Sequence, residues 1–423
     1  MIRRVRIEKL APTGEGVART AEGVAFVAGA LPGEEVDAEV VSERKRFWFG
    51  RTAAVLTSSA SRVSGPHASC PGCDWAHFEV SAALAEKPRL FLETMDRIGE
   101  LPPGLFGNLE VASSAPAYRI RSRFHVEGLG AQAVLGFHLP GSHRVGSAES
   151  CLALSDSLRA ALPGIRDAVA ADGRQVSEVA TLETPAGKRR LAAIWLSQGG
   201  PSRGSGLAAV LASTFEGVRV FASDGSIVED TGPARLPIPV GERAFEVSAG
   251  AFFQVNRHLT ARLAADVRAE AQAVPRGRAL DAYGGVGLFA GALLDAGHSV
   301  VSVEGSLAAA SDAGRTRSQW GVGAGQWDLV SSPMERFVAG SGAFDVVVAD
   351  PPRAGLGLKL ARDMARLASR RFLYVSCDPA TLARDLAVLR QEGFEITKTS
   401  LYDFFAFTHR VEALVVLDRA GSA

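Results

Sequence analysis

Apolar and polar positions divide the chain into three stretches of different period. Over residues 1 to about 57 the runs RRVRIEKL, VAFVAGALPGE, EVDAEVV and RTAAVLTSS are short, and Gly14, Gly16 and Gly23 punctuate the turns. Alternation broken by glycine predicts short strands, and so many in so few residues predict a small antiparallel β-barrel. From about 62 to 240 the pattern is mixed α+β. The helical stretch SAALAEKPRLFLETMDRIGEL precedes strand-like YRIRSRFHVEG and AVLGFHL, and GGPSRGSG at 199–206 reads as a loop. Helical periodicity returns in LTARLAADVRAEAQAV and stops before Pro275. From 241 to 423, the near-continuous apolar runs RALDAY, HSVVSVEG, FDVVVADPP, RFLYVSC and VEALVVLDR alternate with the helical LFAGALLDAG and ATLARDLAVLRQEG. That alternation predicts an α/β domain whose parallel sheet is covered on both faces.

Composition narrows the function classes. The 423 residues are 47% hydrophobic and 22% charged, a globular balance, and two or three domains suit the length. Lys plus Arg and Asp plus Glu both number 46, which excludes a generally basic nucleic-acid coat but not a local basic surface. Four cysteines, Cys70, Cys73, Cys151 and Cys377, are too few for a disulfide scaffold and point to metal binding or catalysis. No apolar run approaches a membrane span, and MIRRVRIEKL has no signal-peptide character, so a cytoplasmic protein is expected. The first 57 residues hold nine basic and eight acidic residues, with Arg44, Lys45 and Arg46 beside Phe47, Trp48 and Phe49. That cluster suits single-stranded RNA through phosphate contacts and base stacking; a solvated strand end with half-buried aromatics is the alternative.

Three motifs in the last stretch carry chemistry. In LDAYGGVGLFA, Asp281 and Tyr283 end a strand, and Gly284, Gly285 and Gly287 turn it into a helix, where backbone can approach a nucleotide-like ligand. Glu304 ends the next strand, 23 residues after Asp281, as expected of a carboxylate that receives ribose hydroxyls. NAD and S-adenosylmethionine both fit; the absence of a full G-x-G-x-x-G favours the second. In ADPPRAGL, Asp350 ends a strand and two prolines give a stiff turn at the sheet edge, suited to holding a planar base. In YVSCDPATLARDL, Cys377 precedes a helix that Ser376 or Asp378 caps, and the helix dipole there is expected to favour thiolate.

In this order, D-x-Y-x-G-x-G, D-P-P-R and S-C-x-P-x-T-L-A-R-D-L resemble the RNA 5-methyluridine methyltransferases that use S-adenosylmethionine. AFFQVN (251–256) is similar to the family's F-x-Q-V-N segment and THRVEALVVL (408–417) to its T-x-H-V-E segment. Residues 1–57, with GEGVARTAEGVAFVAGALPGE, resemble its OB-like TRAM domain. The resemblance implies a TRAM barrel at 1–57, a central domain at 62–240 and a Rossmann-like methyltransferase domain at 241–423. It implies that Cys377 adds to uracil carbon 6 and that Glu412 removes the carbon 5 proton. By the same match Gln254, Tyr283, Gly285, Gly287, Glu304 and Asp350 contact S-adenosylmethionine, and Arg353 orients the base. Three positions depart from the pattern: Leu288 stands where asparagine is common, Gly284 where cysteine is common, and Arg410 where a histidine precedes Val411-Glu412. None removes the nucleophile or the base; they bear on how the cofactor sits.

Cys70, Cys73 and Cys151 resemble the family's iron–sulfur ligands, although C-x-x-C is also a zinc or redox pattern. The position of the family's first ligand holds Ser64. Ser64 or His67 as a fourth ligand, a three-iron form, and loss of the cluster all remain open. In YRIRSRFHV, Arg119, Arg121 and Arg123 share one strand face opposite Tyr118 and can follow a phosphate backbone. The expected partner is RNA, ribosomal ahead of transfer RNA, bound by a monomer without a membrane or DNA. Competing readings are a methyltransferase for another nucleobase or a small molecule, and a catalytically silent RNA-binding factor.

Overall fold

A computed structural model of the protein describes residues 1–64, 72–139, 141–197 and 206–421. Strands Ile2–Arg6, Lys9–Leu10, Gly16–Thr20, Gly23–Ala28, Glu35–Glu43 and Phe47–Thr57 form one sheet that curls into a half-barrel. Period-two alternation sorts its side chains: Ala25, Val27 and Trp48 are buried, while Phe47 and Phe49 stay 39% and 38% exposed on the other face. The expected all-antiparallel pairing is corrected at one ladder. Gly23–Ala28 runs parallel to Phe47–Thr57, because Glu35–Glu43 lies on the far side of the latter strand. Buried Glu34 closes the sheet end by pairing with Arg62 and accepting the Leu31 and Ser59 amides.

The central region holds a seven-stranded sheet in the order Val145–Ser147, Val134–His138, Arg121–Glu127, Val176–Glu183, Arg190–Leu196, Gly217–Phe221 and Ile227–Thr231. Helix Asp156–Asp172 buries Leu162 and Ile165 in a cluster with Phe124, Val179 and Ile194. Residues of opposite parity, Ala180, Leu182, Leu191 and Ala193, share a core with the C-terminal region instead. Both faces of this sheet are therefore used, one for its own helix and one for the neighbouring domain.

The C-terminal sheet has eight strands in the order Trp327–Ser331, Ser299–Glu304, Arg278–Ala282, Phe344–Ala349, Ala368–Ser376, Glu412–Arg419, Phe394–Tyr402 and Val111–Ala112. The first five are mutually parallel, as their apolar runs predict. Glu412–Arg419 is not: it runs antiparallel to Ala368–Ser376, through a hairpin with Phe394–Tyr402. The sequence of Phe394–Tyr402, FEITKTSLY, has an exposed polar face and does not read as a core strand. Strand order reverses between Arg278–Ala282 and Phe344–Ala349, and at such a switch point the carboxyl ends of the strands leave a crevice for a ligand. Helix Val80–Gly99 packs on helix Pro379–Gln391 so closely that a Cβ on Gly99 would lie 2.6 Å from the Ala383 carbonyl. Among the described residues no helix is long and apolar enough to cross a membrane.

Candidate active site

Four parallel strands end at the crevice and deliver one motif each. Arg278–Ala282 leads into Tyr283, Ser299–Glu304 ends in Glu304, Phe344–Ala349 precedes Asp350, and Ala368–Ser376 precedes Cys377. Ser376 pairs with Ala413 in the antiparallel ladder, so the next residues along, Cys377 and Glu412, lie across from each other. This meeting depends on the antiparallel turn of the last strand, which is why sequence spacing alone does not reveal it.

The turn after Arg278–Ala282 is held from below by Asp281. Its Oδ2 accepts from the Ala290 amide and the Ser302 hydroxyl, each at 3.1 Å, and Ser302 Oγ accepts from Trp327 Nε1 at 2.8 Å. Asp281 Oδ1 is buried without a hydrogen-bond partner among the described residues. The glycines differ in purpose. Gly287 has φ +95°, and a Cβ there would lie 2.5 Å from the Trp327 ring, so its freedom serves packing. Gly285 has φ +54° with open space where a Cβ would point, as a ligand-facing residue requires. Gly284 leaves no room for the cysteine common in the family, since its Cβ would meet Asp281 Oδ2 at 2.9 Å and Ser302 Cβ at 3.1 Å. Leu288 is buried in the core rather than turned to the crevice. Tyr283 has φ +62°, a strained setting for a non-glycine residue that recurs at ligand sites. Glu304 accepts from the Gly285 amide at 2.9 Å, so its carboxylate and the open turn share one edge.

Gln254, buried on the segment before helix Thr260–Gln272, donates to Asp350 Oδ2 at 3.0 Å. The crevice is acidic and dry. Burial pushes the carboxyls of Asp281 and Asp350 up to about 7, each raised further by a neighbouring carboxylate. Glu412 is likewise raised well above the usual carboxylate range by burial and by Asp350, with Arg353 opposing. The Cys377 thiol is pushed up to about 12 by burial, then by Glu412 and Asp350, while the charge of Arg353 acts the other way. This corrects the expectation of a thiolate at the helix end. The cap there is Asp378, whose Oδ1 accepts the Ala380 and Thr381 amides at 3.0 Å, so the dipole is answered by a carboxylate and not by the thiol.

The arginines expected to contact RNA are placed unevenly. Tyr118, Ile120, Ser122 and Phe124 turn inward, and the three arginines take the other parity. Arg121 is largely enclosed against the Phe252 ring, 5.6 Å from its centroid, with Nε buried and unpartnered. Arg123 is exposed, stacks on Trp195 at 4.6 Å and pairs with Glu178 at 3.1 Å. Arg119 is half-buried, its backbone bridging to Leu154 and Asn256. Arg353 is exposed at the crevice rim.

Two supporting residues escaped sequence reasoning. Lys87, on helix Val80–Gly99, is buried, ion-paired with buried Asp403, and donates to the Arg410 carbonyl at 2.7 Å. A lysine on the apolar face of LAEKPRLFL was the available signal. Asp74 binds His409 and receives its amide, and Trp75 donates its amide to the Phe407 carbonyl at 2.9 Å. The segment after Cys73 thereby clamps the loop that leads to Glu412.

Of the expected iron–sulfur residues, Cys70 and His67 lie outside the described residues, and Ser64 is exposed. Cys73 and Cys151 are buried in one cluster with Tyr118. Among the described residues no group of three or more His, Cys, Asp or Glu is arranged to hold a metal.

Together the reversed strand order, the glycine turn with its acidic strand end, and a thiol beside a carboxylate define a nucleotide-cofactor enzyme of the Rossmann-like methyltransferase class. Comparison with known proteins gives the family. A TRAM domain model matches residues 2–52, and the tRNA (Uracil-5-)-methyltransferase model matches residues 335–420. The chain is 32% identical to the 23S rRNA (uracil(1939)-C(5))-methyltransferase RlmD of Halomonas elongata, an alignment covering 100% of this chain and 90% of the relative. It is also 32% identical to an uncharacterized RNA methyltransferase of Streptomyces avermitilis, over 99% and 98% of the two chains. The crystal structure of Pyrococcus abyssi tRNA (uracil-54, C5)-methyltransferase with S-adenosyl-L-homocysteine shares the fold, with a TM-score of 0.75 and 21% identity, over 98% of this chain and 100% of that one. The chain belongs to the S-adenosylmethionine-dependent RNA (uracil-5-)-methyltransferase family.

Proposed function

We propose that the protein transfers a methyl group from S-adenosylmethionine to carbon 5 of a uridine in RNA, ribosomal RNA ahead of transfer RNA. The observation that carries this reading is the juxtaposition of Cys377 with Glu412 at the crevice. The ribosomal preference is supported by full-length relatives, the RlmD enzymes of Halomonas elongata and Chromohalobacter salexigens, at 32% and 33% identity.

The open turn at Gly285, the Glu304 carboxylate and the unpartnered Asp281 Oδ1 fit an adenosyl ligand. Bound there, S-adenosylmethionine supplies an electrophilic methyl on a sulfonium. Carbon 5 of uracil is too weak a nucleophile to take that methyl unaided. Cys377 gives its proton to solvent through the cleft it lines, its sulfur bonds to carbon 6, and the electron pair of the C5–C6 double bond then bonds carbon 5 to the methyl as the methyl–sulfonium bond breaks and S-adenosylhomocysteine leaves. The positive charge of Arg353, at the crevice rim, favours the charged sulfur. Glu412 then takes the carbon 5 proton, the C5–C6 double bond re-forms, and the C6–S bond breaks to release Cys377. Gln254 fixes Asp350 beside this centre. A uridine stacked inside a helix cannot reach the thiol, so the target must be everted or unpaired. The test is transfer of tritiated methyl to ribosomal and transfer RNA from a strain lacking the protein, followed by mapping of 5-methyluridine. Transfer only to another nucleoside overturns the reading.

A finer part of the proposal is that Cys70, Cys73 and Cys151 hold an iron–sulfur cluster. Support comes from Cys73 and Cys151, thiols buried in one packed cluster. Such a group would tie the 72–78 segment to the central sheet. Anaerobic purification with iron, sulfide and visible-absorbance assays tests it, and a colourless, iron-free, active protein rejects it.

A further inference from the structure

The Cys377 thiol lies beside the crevice carboxylates Glu412 and Asp350 and also lines a cleft of about 550 Å³ between the curled N-terminal sheet and the C-terminal domain. Phe26 and Phe49 form one wall, stacked with centroids 5.3 Å apart and planes at 27°. Phe47 abuts both rings edge-on. The opposite wall comes from helix Val80–Gly99, through Phe91, Arg97 and Ile98, and from Arg410, with Cys377 and Pro379 at the floor.

Three features indicate what this space takes. First, its aromatic wall is kept open to solvent: Phe49 is 38% exposed and Ile98, across from it, 50%, although Trp48 between Phe47 and Phe49 is wholly buried. The strand thus directs its phenylalanines to the cleft while its tryptophan serves the core. Second, Arg410 is half-buried and its guanidinium has no hydrogen-bond or ion-pair partner among the described residues. Arg410 also stands at a departure from the family pattern. Third, two of the three carboxylates nearby are committed elsewhere, Asp378 to its helix cap and Asp74 to His409, while Glu15 lines the sheet side of the cleft with Oε2 buried and, among the described residues, unpartnered. An aromatic face and an unpaired guanidinium on opposite walls, continuous with a thiol that attacks a nucleobase, match a single nucleotide better than a peptide or a lipid.

We propose that this cleft binds the nucleotide adjoining the target uridine, its base stacked on Phe49 and its phosphate at Arg410. The inference rests on the RNA-methylation reading above and deepens it. Two consecutive nucleotides leave the RNA stack together, one entering the crevice and one the cleft, and the curled sheet takes part in presenting the target.

The test uses the RNA fragment around the methylated uridine found by mapping, intact or with an abasic nucleotide immediately 5′ or 3′ of the target. Wild type should lose about tenfold in kcat/KM on one of the two abasic RNAs. Phe49→Ala should lose a similar factor on intact RNA and nothing further on that same abasic RNA, with S-adenosylmethionine affinity unchanged. Arg410→Ala should raise KM and reduce the salt slope by about one unit, and Arg410→Lys should recover part of both. Equal losses for Phe49→Ala on all three RNAs, or none on intact RNA, would overturn the shelf and leave uridine methylation standing. Failure of the wild type to methylate any uridine-containing RNA would remove the parent reading and the shelf together.

Discussion

Cys377 and Glu412 lie across from each other on two hydrogen-bonded antiparallel strands, one step beyond the Ser376–Ala413 pair. In the proposed reaction the two act on adjacent carbons of one ring, as nucleophile and as base, and their loss should separate two steps. Cys377→Ala should abolish transfer and covalent capture of RNA. Glu412→Gln should slow turnover by roughly 10²–10⁴ and accumulate a protein–RNA adduct that survives denaturing electrophoresis. Absence of that adduct would take the proton-acceptor role from Glu412.

Cofactor binding should release protons. Asp281 and Asp350, raised to about 7 by burial, hold protons near neutral pH before the cofactor binds. A sulfonium beside them favours their ionised forms, so S-adenosylmethionine affinity should rise with pH through about 7. S-adenosylhomocysteine, lacking that charge, should show a flatter profile. Titration calorimetry in two buffers of different ionisation enthalpy measures the difference. For folding the sign is opposite to that of a salt-bridged carboxylate. The folded state binds more protons between the ordinary value of 3.8 and about 7, so these two groups contribute less stability as pH climbs across that window.

Lys87 and Asp403 form a buried pair, and the lysine also supports the Arg410 carbonyl. Lys87→Met should cost roughly 3–5 kcal/mol, because it strands a buried carboxyl, and Lys87→Met with Asp403→Leu should recover much of that in thermal denaturation. A loss under about 0.5 kcal/mol for the single variant would mean that water reaches Asp403.

Gly287→Ala combines a positive φ with a Cβ 2.5 Å from Trp327. It should lower stability by about 1–3 kcal/mol and weaken S-adenosylmethionine binding, since Trp327 carries the Ser302–Asp281 network beneath the turn. Gly285→Ala, open at its Cβ, should retain more stability yet lose comparable cofactor affinity.

Among the described residues the buried Nε of Arg121 has no partner, and the side chain lies against exposed Phe252. Arg121→Met should raise KM for RNA with kcat little changed and reduce the salt slope by about one unit, read from filter binding across ionic strength.

The parallel strands, the glycine turn with Glu304, and the nucleophile-bearing motif were legible in order along the chain, because each is encoded within a few residues. The antiparallel return of Glu412–Arg419 was not, since a buried antiparallel strand and a buried parallel one share the same apolar run. The thiolate expected at Cys377 failed for a related reason: helix capping is local, but the charges of Glu412 and Asp350 arrive from two other strands and desolvation from the surrounding fold. Likewise Phe47, Trp48 and Phe49 read as one aromatic cluster, while the curled sheet sends Trp48 to the core and Phe49 to the cleft.

The sequence by itself determined the candidate side chains and the order in which they reach the sheet edge, because hydrophobic period and glycine turns are short-range properties. Only the tertiary structure decided which of them meet, which are dry and which walls face the thiol. Proximity, dielectric and charge at Cys377 are sums over residues far apart in the chain, and no local pattern contains that sum.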